Sequence, residues 1–176
     1  ELLKSEFPEQ EFQGEIRNVE HHLAHLSSAF HVSPYKEATV VSVDGFGDFA
    51  SGSWGIGNTS DITIEGKVHF PHSLGAFYQS VTQLIGFPNY GDEYKVMGLA
   101  PYGKPVYLDE MRKIVLLQAD GSYKLDLRYF VFHKQKVAYE WSNGSPSVGR
   151  LFSDILIEKT FYSMVYYGDS ALEEFN

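Results

Sequence analysis

Three histidines fall within five residues, in His21-His22-Leu23-Ala24-His25. On a helix, His21 and His25 stand one turn apart on one face, close enough for two imidazoles to share one metal ion. The same spacing also occurs as a plain surface pair. A zinc-protease helix is excluded, because His22 stands where the H-E-x-x-H pattern needs a glutamate as general base. A carboxylate able to complete the set lies in Asp44-Gly45-Phe46-Gly47-Asp48, at the end of the apolar run Ala38-Thr39-Val40-Val41-Ser42-Val43. Glycines there let backbone N–H groups approach a phosphate, and Asp44 could hold the cation that neutralises it. The turn rules alone also explain an Asp-Gly-x-Gly between strands. Taken together, two histidines and one carboxylate form the facial set that suits iron, manganese or zinc and leaves positions open for substrate oxygens.

Two further segments carry chemistry-bearing side chains. Gly91-Asp92-Glu93-Tyr94-Lys95-Val96-Met97-Gly98 continues into Leu99-Ala100-Pro101-Tyr102-Gly103. Here Glu93 could accept ribose hydroxyls and Lys95 could meet a phosphate, or the stretch is a solvated, capped helix. In His69-Phe70-Pro71-His72-Ser73-Leu74-Gly75, Ser73 or His72 is placed to cap the helix that follows, and a histidine at a helix N-terminus could also contact an anion.

These residues need elements to hold them. Val19, Leu23, Leu26 and Phe30 recur at helical spacing, which predicts a helix over about 20–31 with that stripe buried and the His21/His25 pair on another side. Ser33-Pro34 ends it. A buried strand is predicted over Glu37 to Val43, stopping at the Asp44–Asp48 turn, and a second over Ala50 to Ile56. Ile62 to Phe70 reads as a strand pair turning at Glu65-Gly66. Leu74, Phe77, Tyr78, Val81, Leu84 and Ile85 mark an amphipathic helix closed by Gly86. Asp92 to Leu99 is short enough for a brief helix between loops. Leu108, Met111 and Val115 predict another helix, Asp120-Gly121 a turn between two short strands, and 148–167 a last helix. Strands interleaved with helices, with glycine-rich turns at strand ends, give a mixed α/β architecture.

Composition narrows the function classes. The chain has 176 residues, enough for one domain or one lobe of a larger enzyme with a real core. Apolar content of 43% with 21% charged residues excludes disorder over most of the length. Thirteen Phe, twelve Tyr and two Trp suit a deep core, a ligand pocket or a buried partner surface. The net charge of −9 argues against a phosphate backbone as partner, so nucleic acid is not expected. Residues 1–88 carry 4 basic and 11 acidic side chains, so an anionic ligand near them needs metal or backbone help. With no cysteine there is neither a disulfide framework nor a thiolate metal site, and a reducing cytosol is the expected compartment. No apolar run reaches the roughly 20 residues of a spanning helix. Asn143-Gly144-Ser145-Pro146 and the charged first fifteen residues read as linker-like. The chain opens on Glu1 and shows no strand before the histidines, so it is expected to be an excerpt of a longer polypeptide.

Four blocks in order resemble the ATP-dependent O-carbamoyltransferases of the nodulation-factor and antibiotic-tailoring type. They are His21-His22-Leu23-Ala24-His25 with Ser28-Ala29-Phe30, Val43-Asp44-Gly45-Phe46-Gly47, His69 to Gly75, and Glu93 to Gly103, together spanning roughly 18–105. The resemblance implies a single piece, 1–176, of an N-terminal actin-like ATPase domain of ribonuclease H-like type, without its first strands and its C-terminal portion. It implies a metal at His21, His25 and Asp44 that also touches nucleotide phosphates, iron(II) first and zinc, manganese or magnesium as alternatives. A further aspartate ligand is implied from a later part of such proteins. Nucleotide contacts are assigned to Asp44, Gly45, Gly47, Glu93, Lys95 and Gly98. The implied reaction forms a carbamoyl-adenylate from carbamoyl phosphate and ATP, then passes the carbamoyl group to a hydroxyl of a small-molecule acceptor. That transfer needs a general base, for which His22 is the candidate, although it could equally be a packing residue. Two other readings stand beside it: a non-catalytic nucleotide-binding relative, and a protein like the tRNA threonylcarbamoyl-transferring enzymes.

Overall fold

The structure is a computed structural model that describes residues 5–6, 14–142 and 145–159. Its first described long element is helix α1, His21–Phe30, entered through Glu20, which has an extended backbone and whose carboxylate accepts the Leu23 N–H at 2.7 Å. The buried side of α1 is His22, Leu26 and Phe30, each four residues from the next. Leu26 and Phe30 of the predicted stripe are buried, whereas Val19 lies before the helix and is 64% exposed, and His22 takes its place in the stripe. The reason is rotational. Burying His22 turns His21 and His25 toward the neighbouring rim, where their rings stay half exposed.

Beneath α1 lies an antiparallel sheet of order β1-β2-β3, formed by Glu37–Gly47, Ala50–Asn58 and Asp61–His69. Val40 packs with Leu26 and Phe30, and Phe30 also lies across Gly57, where a Cβ would come within 2.6 Å of the ring. β1 runs past its predicted end at Val43. Its pairing with β2 breaks after Val43 and resumes at Gly47↔Ala50, so Asp44, Gly45 and Phe46 leave the ladder without ending the strand. β3 is one strand where a strand pair turning at Glu65-Gly66 is predicted. The register slips between Trp54↔Gly66 and Gly55↔Ile64, leaving Glu65 as the extra residue. Gly66 is needed because the Trp54 indole fills the space of its Cβ, not because the chain turns there.

Helix α2, Leu74–Leu84, starts at Ser73, whose hydroxyl accepts the Ala76 N–H at 3.0 Å, and ends before Gly86 at φ +100°. Phe77 and Leu84 pack against a second core of Ile114, Leu125, Tyr129, Phe130 and Leu156. The brief helix α3, Glu93–Leu99, follows as predicted, and Ala100–Tyr102 adds a single 3-10 turn. Helix α4, Leu108–Ile114, gives way at Val115 to the hairpin β4, Val115–Leu117, and β5, Tyr123–Leu125, around Asp120-Gly121. The last pair is β6, Tyr139–Ser142, with β7, Ser145–Val148. Ser145 and Pro146 are therefore strand residues and not linker, whereas Asn143 and Gly144 lie outside the described residues. The helix predicted from 148 starts at 154, because Val148 pairs in β7, and its described part ends at 159. Most of the first fifteen residues also lie outside the described residues. The architecture is mixed α/β, with no described helix long and apolar enough to cross a membrane.

Candidate metal centre and cleft

The break in β1 and the first turn of α1 meet. The Asp44 carboxylate lies 2.6 Å from His21 Nε2 and 3.4 Å from His25 Nε2, and the two imidazole nitrogens are 3.0 Å apart. Asp44 Oδ1 also accepts the Gly45 N–H at 2.6 Å. The Asp44 carboxyl is held below the usual carboxylate range, chiefly by its hydrogen bond with His21, with the Gly45 N–H and the imidazoles adding to it and burial opposing. The donor set suits a divalent metal: His21 and His25 each offer an imidazole nitrogen and Asp44 a carboxylate oxygen, and these atoms lie close enough together that all three side chains would hold one ion.

Two glycines make this approach possible. A Cβ at Gly47 would lie 2.2 Å from the His21 ring, and one at Gly75 would lie 2.6 Å from Gly45 N. Ser73 links the second contact, donating its hydroxyl to the Gly45 carbonyl at 2.5 Å while capping α2. The start of α2 is thus joined to the strand that carries Asp44. His72, the other capping candidate, instead accepts the Leu125 N–H at Nδ1, and burial lowers its pKa.

The centre opens on a cleft of about 900 Å³. His21, Asp44, Gly45 and Phe46 form one wall, Gly75, Ala76, Tyr78 and Gln79 another, Tyr90, Gly91 and Glu93 a third, and Glu140, Trp141 and Pro146 a fourth. The Tyr78 hydroxyl donates to the Glu93 carbonyl at 3.0 Å, which fixes the start of α3 against α2. The Tyr90 N–H donates to the Pro146 carbonyl at 3.1 Å and brings the last wall in. Asp44, Glu93 and Glu140 line the cleft with neither lysine nor arginine among the described lining residues, so an anion entering it needs a cation.

The sequence-predicted residues therefore separate. His21, His25 and Asp44 converge, and Gly45 and Glu93 face the same cleft. Gly47 lies under the His21 ring. Lys95 is 2.6 Å from the buried Asp92, whose pKa it lowers, and Gly98 has open space around it, with neither lining the cleft. His22 is fully buried with Nδ1 2.9 Å from the Ser42 hydroxyl, which is the packing alternative of its two predicted roles. Sequence reasoning missed Glu140, Trp141 and Pro146 as walls of the cleft, since no local motif marks them.

A mixed α/β domain that sets a two-histidine, one-carboxylate cluster at the mouth of an acidic cleft is thus the class of molecule present. Residues 5–154 match the carbamoyltransferase N-terminus family, and the chain belongs to that family. It is 36% identical over 127 residues to the nodulation protein NolNO of Sinorhizobium fredii, covering 72% of this chain and 18% of that protein. It is 40% identical over 112 residues to the nodulation protein NolO of Bradyrhizobium diazoefficiens, covering 62% and 20%. An uncharacterized protein of Synechocystis is 46% identical over 112 residues, covering 63% and 18%. The chain thus spans about a fifth of the length of these relatives.

Proposed function

We propose that the chain forms the metal- and nucleotide-holding part of a cytoplasmic, ATP-dependent O-carbamoyltransferase with an actin-like ATPase fold. The observation that carries this reading is the convergence of His21, His25 and Asp44 at the mouth of a cleft with neither lysine nor arginine among its described lining residues, in a member of the carbamoyltransferase N-terminus family. A divalent metal held by these three side chains supplies positive charge and Lewis acidity for the phosphates of ATP. The other roles belong to the protein. Glu93 faces the cleft with a carboxylate suited to ribose hydroxyls, and the Gly45 backbone permits close approach. Water releases carbamate and phosphate from carbamoyl phosphate, the carbamate oxygen attacks the ATP α-phosphate to give carbamoyl-adenylate with pyrophosphate leaving, and a hydroxyl of a small-molecule acceptor takes the carbamoyl group, releasing AMP and giving up its proton. His22 is set aside as the base for that hydroxyl, since a fully buried imidazole bonded to Ser42 does not reach a substrate.

The test is metal analysis with calorimetric ATP titration of the full polypeptide and of its His21→Ala/His25→Ala variant. Stoichiometric metal and ATP binding that disappear together in the folded variant support the reading. ATP binding of equal strength in both proteins overturns it.

A further inference from the structure

Asp48 stands four residues beyond Asp44 and does not join the ligand cluster. Its carboxylate Oδ2 instead accepts the backbone N–H of His21 at 2.9 Å, across 27 residues of sequence. That N–H belongs to the first residue of α1 and is one of the donors a helix leaves without an internal partner. Helices usually satisfy such donors from the preceding residue, and Glu20 does so for Leu23. The donor at His21 instead finds its acceptor on another element, the turn that joins β1 to β2. Asp48 holds a left-handed backbone there, with φ 51°, followed by Phe49 at φ 63°. Two consecutive non-glycine residues in that region cost free energy unless the surroundings hold them, and the contact to α1 is a reason for the turn to keep this form.

We propose that Asp48 is a positioning residue for the metal centre: by fixing the first backbone amide of α1 to the β1–β2 turn, it sets the height at which His21 and His25 meet Asp44. Three residues of one short segment then divide the work. Asp44 supplies the oxygen ligand, Gly47 leaves the space that the His21 ring fills, and Asp48 anchors the backbone from which that ring hangs. The anionic carboxylate also faces the positive end of the helix dipole, which strengthens the contact. This inference rests on the metal reading for its purpose, but its geometry stands without a metal.

The experiment has two arms, both on the full polypeptide. The first reads the ring nitrogens and the backbone amide of His21 and His25 by NMR on 15N-histidine-labelled, metal-free protein, in the wild type and in Asp48→Ala and Asp48→Asn. Alanine removes the acceptor, whereas asparagine keeps a carbonyl oxygen at the same reach. The expected result is that Asp48→Ala moves the His21 amide and both imidazole signals and that Asp48→Asn restores them. Unmoved imidazole signals in Asp48→Ala overturn the proposal, as does equal displacement in both variants. If Asp48→Ala does not fold, the asparagine variant decides: wild-type signals support the proposal and displaced ones overturn it. The second arm titrates Co2+ and follows its visible spectrum. A 10- to 100-fold weaker Co2+ affinity is expected in Asp48→Ala, roughly the scale of losing an outer-shell partner, with recovery in Asp48→Asn. Wild-type protein that binds no Co2+ while the first arm succeeds removes the metal reading and leaves the positioning role of Asp48 standing.

Discussion

Replacing Gly47 with alanine is the most direct test of how the cluster is built. The added methyl would lie 2.2 Å from both Cγ and Cδ2 of His21 and 2.6 Å from its Nδ1. These atoms sit at the root of the ring, so the whole imidazole must move and not only its tip. Ordinary contact between carbons begins near 3.5 Å, which requires a displacement of about 1.3 Å. His21 Nε2 now stands 2.6 Å from Asp44, and hydrogen bonds weaken beyond about 3.2 Å, so the shift exceeds the tolerance of that contact. Gly47 has no left-handed backbone conformation, so the effect is confined to the steric contact. Overpacking of this kind costs about 1–3 kcal/mol of stability, and misplacing one of three ligands lowers metal affinity by at least about 10-fold, or about 1.4 kcal/mol. The assay is competition with a coloured chelator for Zn2+ or Co2+, beside thermal unfolding of the metal-free protein. Gly45→Ala is the control, because a Cβ there meets nothing within 4 Å. Equal metal affinity in Gly47→Ala and Gly45→Ala would refute the reasoning, since the two differ in what their methyl groups meet.

Two other substitutions address the frame around the centre. Ser42→Ala removes the hydroxyl 2.9 Å from the fully buried His22 and leaves Nδ1 unsatisfied, so denaturant unfolding is expected to show a loss of about 1–3 kcal/mol with metal binding retained. Asp92→Asn tests the pH dependence. The folded pKa of Asp92 is lowered, chiefly by the hydrogen bond with Lys95, so its contribution is full above the unfolded value near 3.9 and is lost as pH falls through the lower folded value. The wild type is expected to be more stable than Asp92→Asn at pH 7 and the difference to close in acid. A difference independent of pH from 7 to 2 would show that the charge is not its source.

Much of the centre could be read from local sequence. Helical periodicity fixes the spacing of His21 and His25 whatever surrounds them, because four residues advance a helix by about one turn. An apolar run ending in Asp-Gly likewise announces a carboxylate at a strand end, and Ser73 before an amphipathic segment announces a cap. Details that depend on partners were not legible. The buried stripe of α1 took His22 in place of Val19 because Ser42 offers the imidazole a hydrogen bond, and that partner is 20 residues away. Gly66 looked like a turn because glycine marks turns, while its actual requirement comes from the Trp54 ring on the adjacent strand. Lys95 appeared free to meet a phosphate until the fold buried Asp92 beside it.

The sequence by itself determined which side chains could act as ligands and which two of them share a helix face. Residue type and helical pitch are local properties that need no other element. Only the tertiary structure decided that Asp44 faces those histidines, that Asp48 holds the helix from across the turn, and that Glu140 and Trp141 close the cleft. Each of these depends on strand register and on contacts between residues far apart in the chain. A change of one residue in register moves a side chain to the other face of a sheet, and the break after Val43 shows how much of the centre hangs on that register.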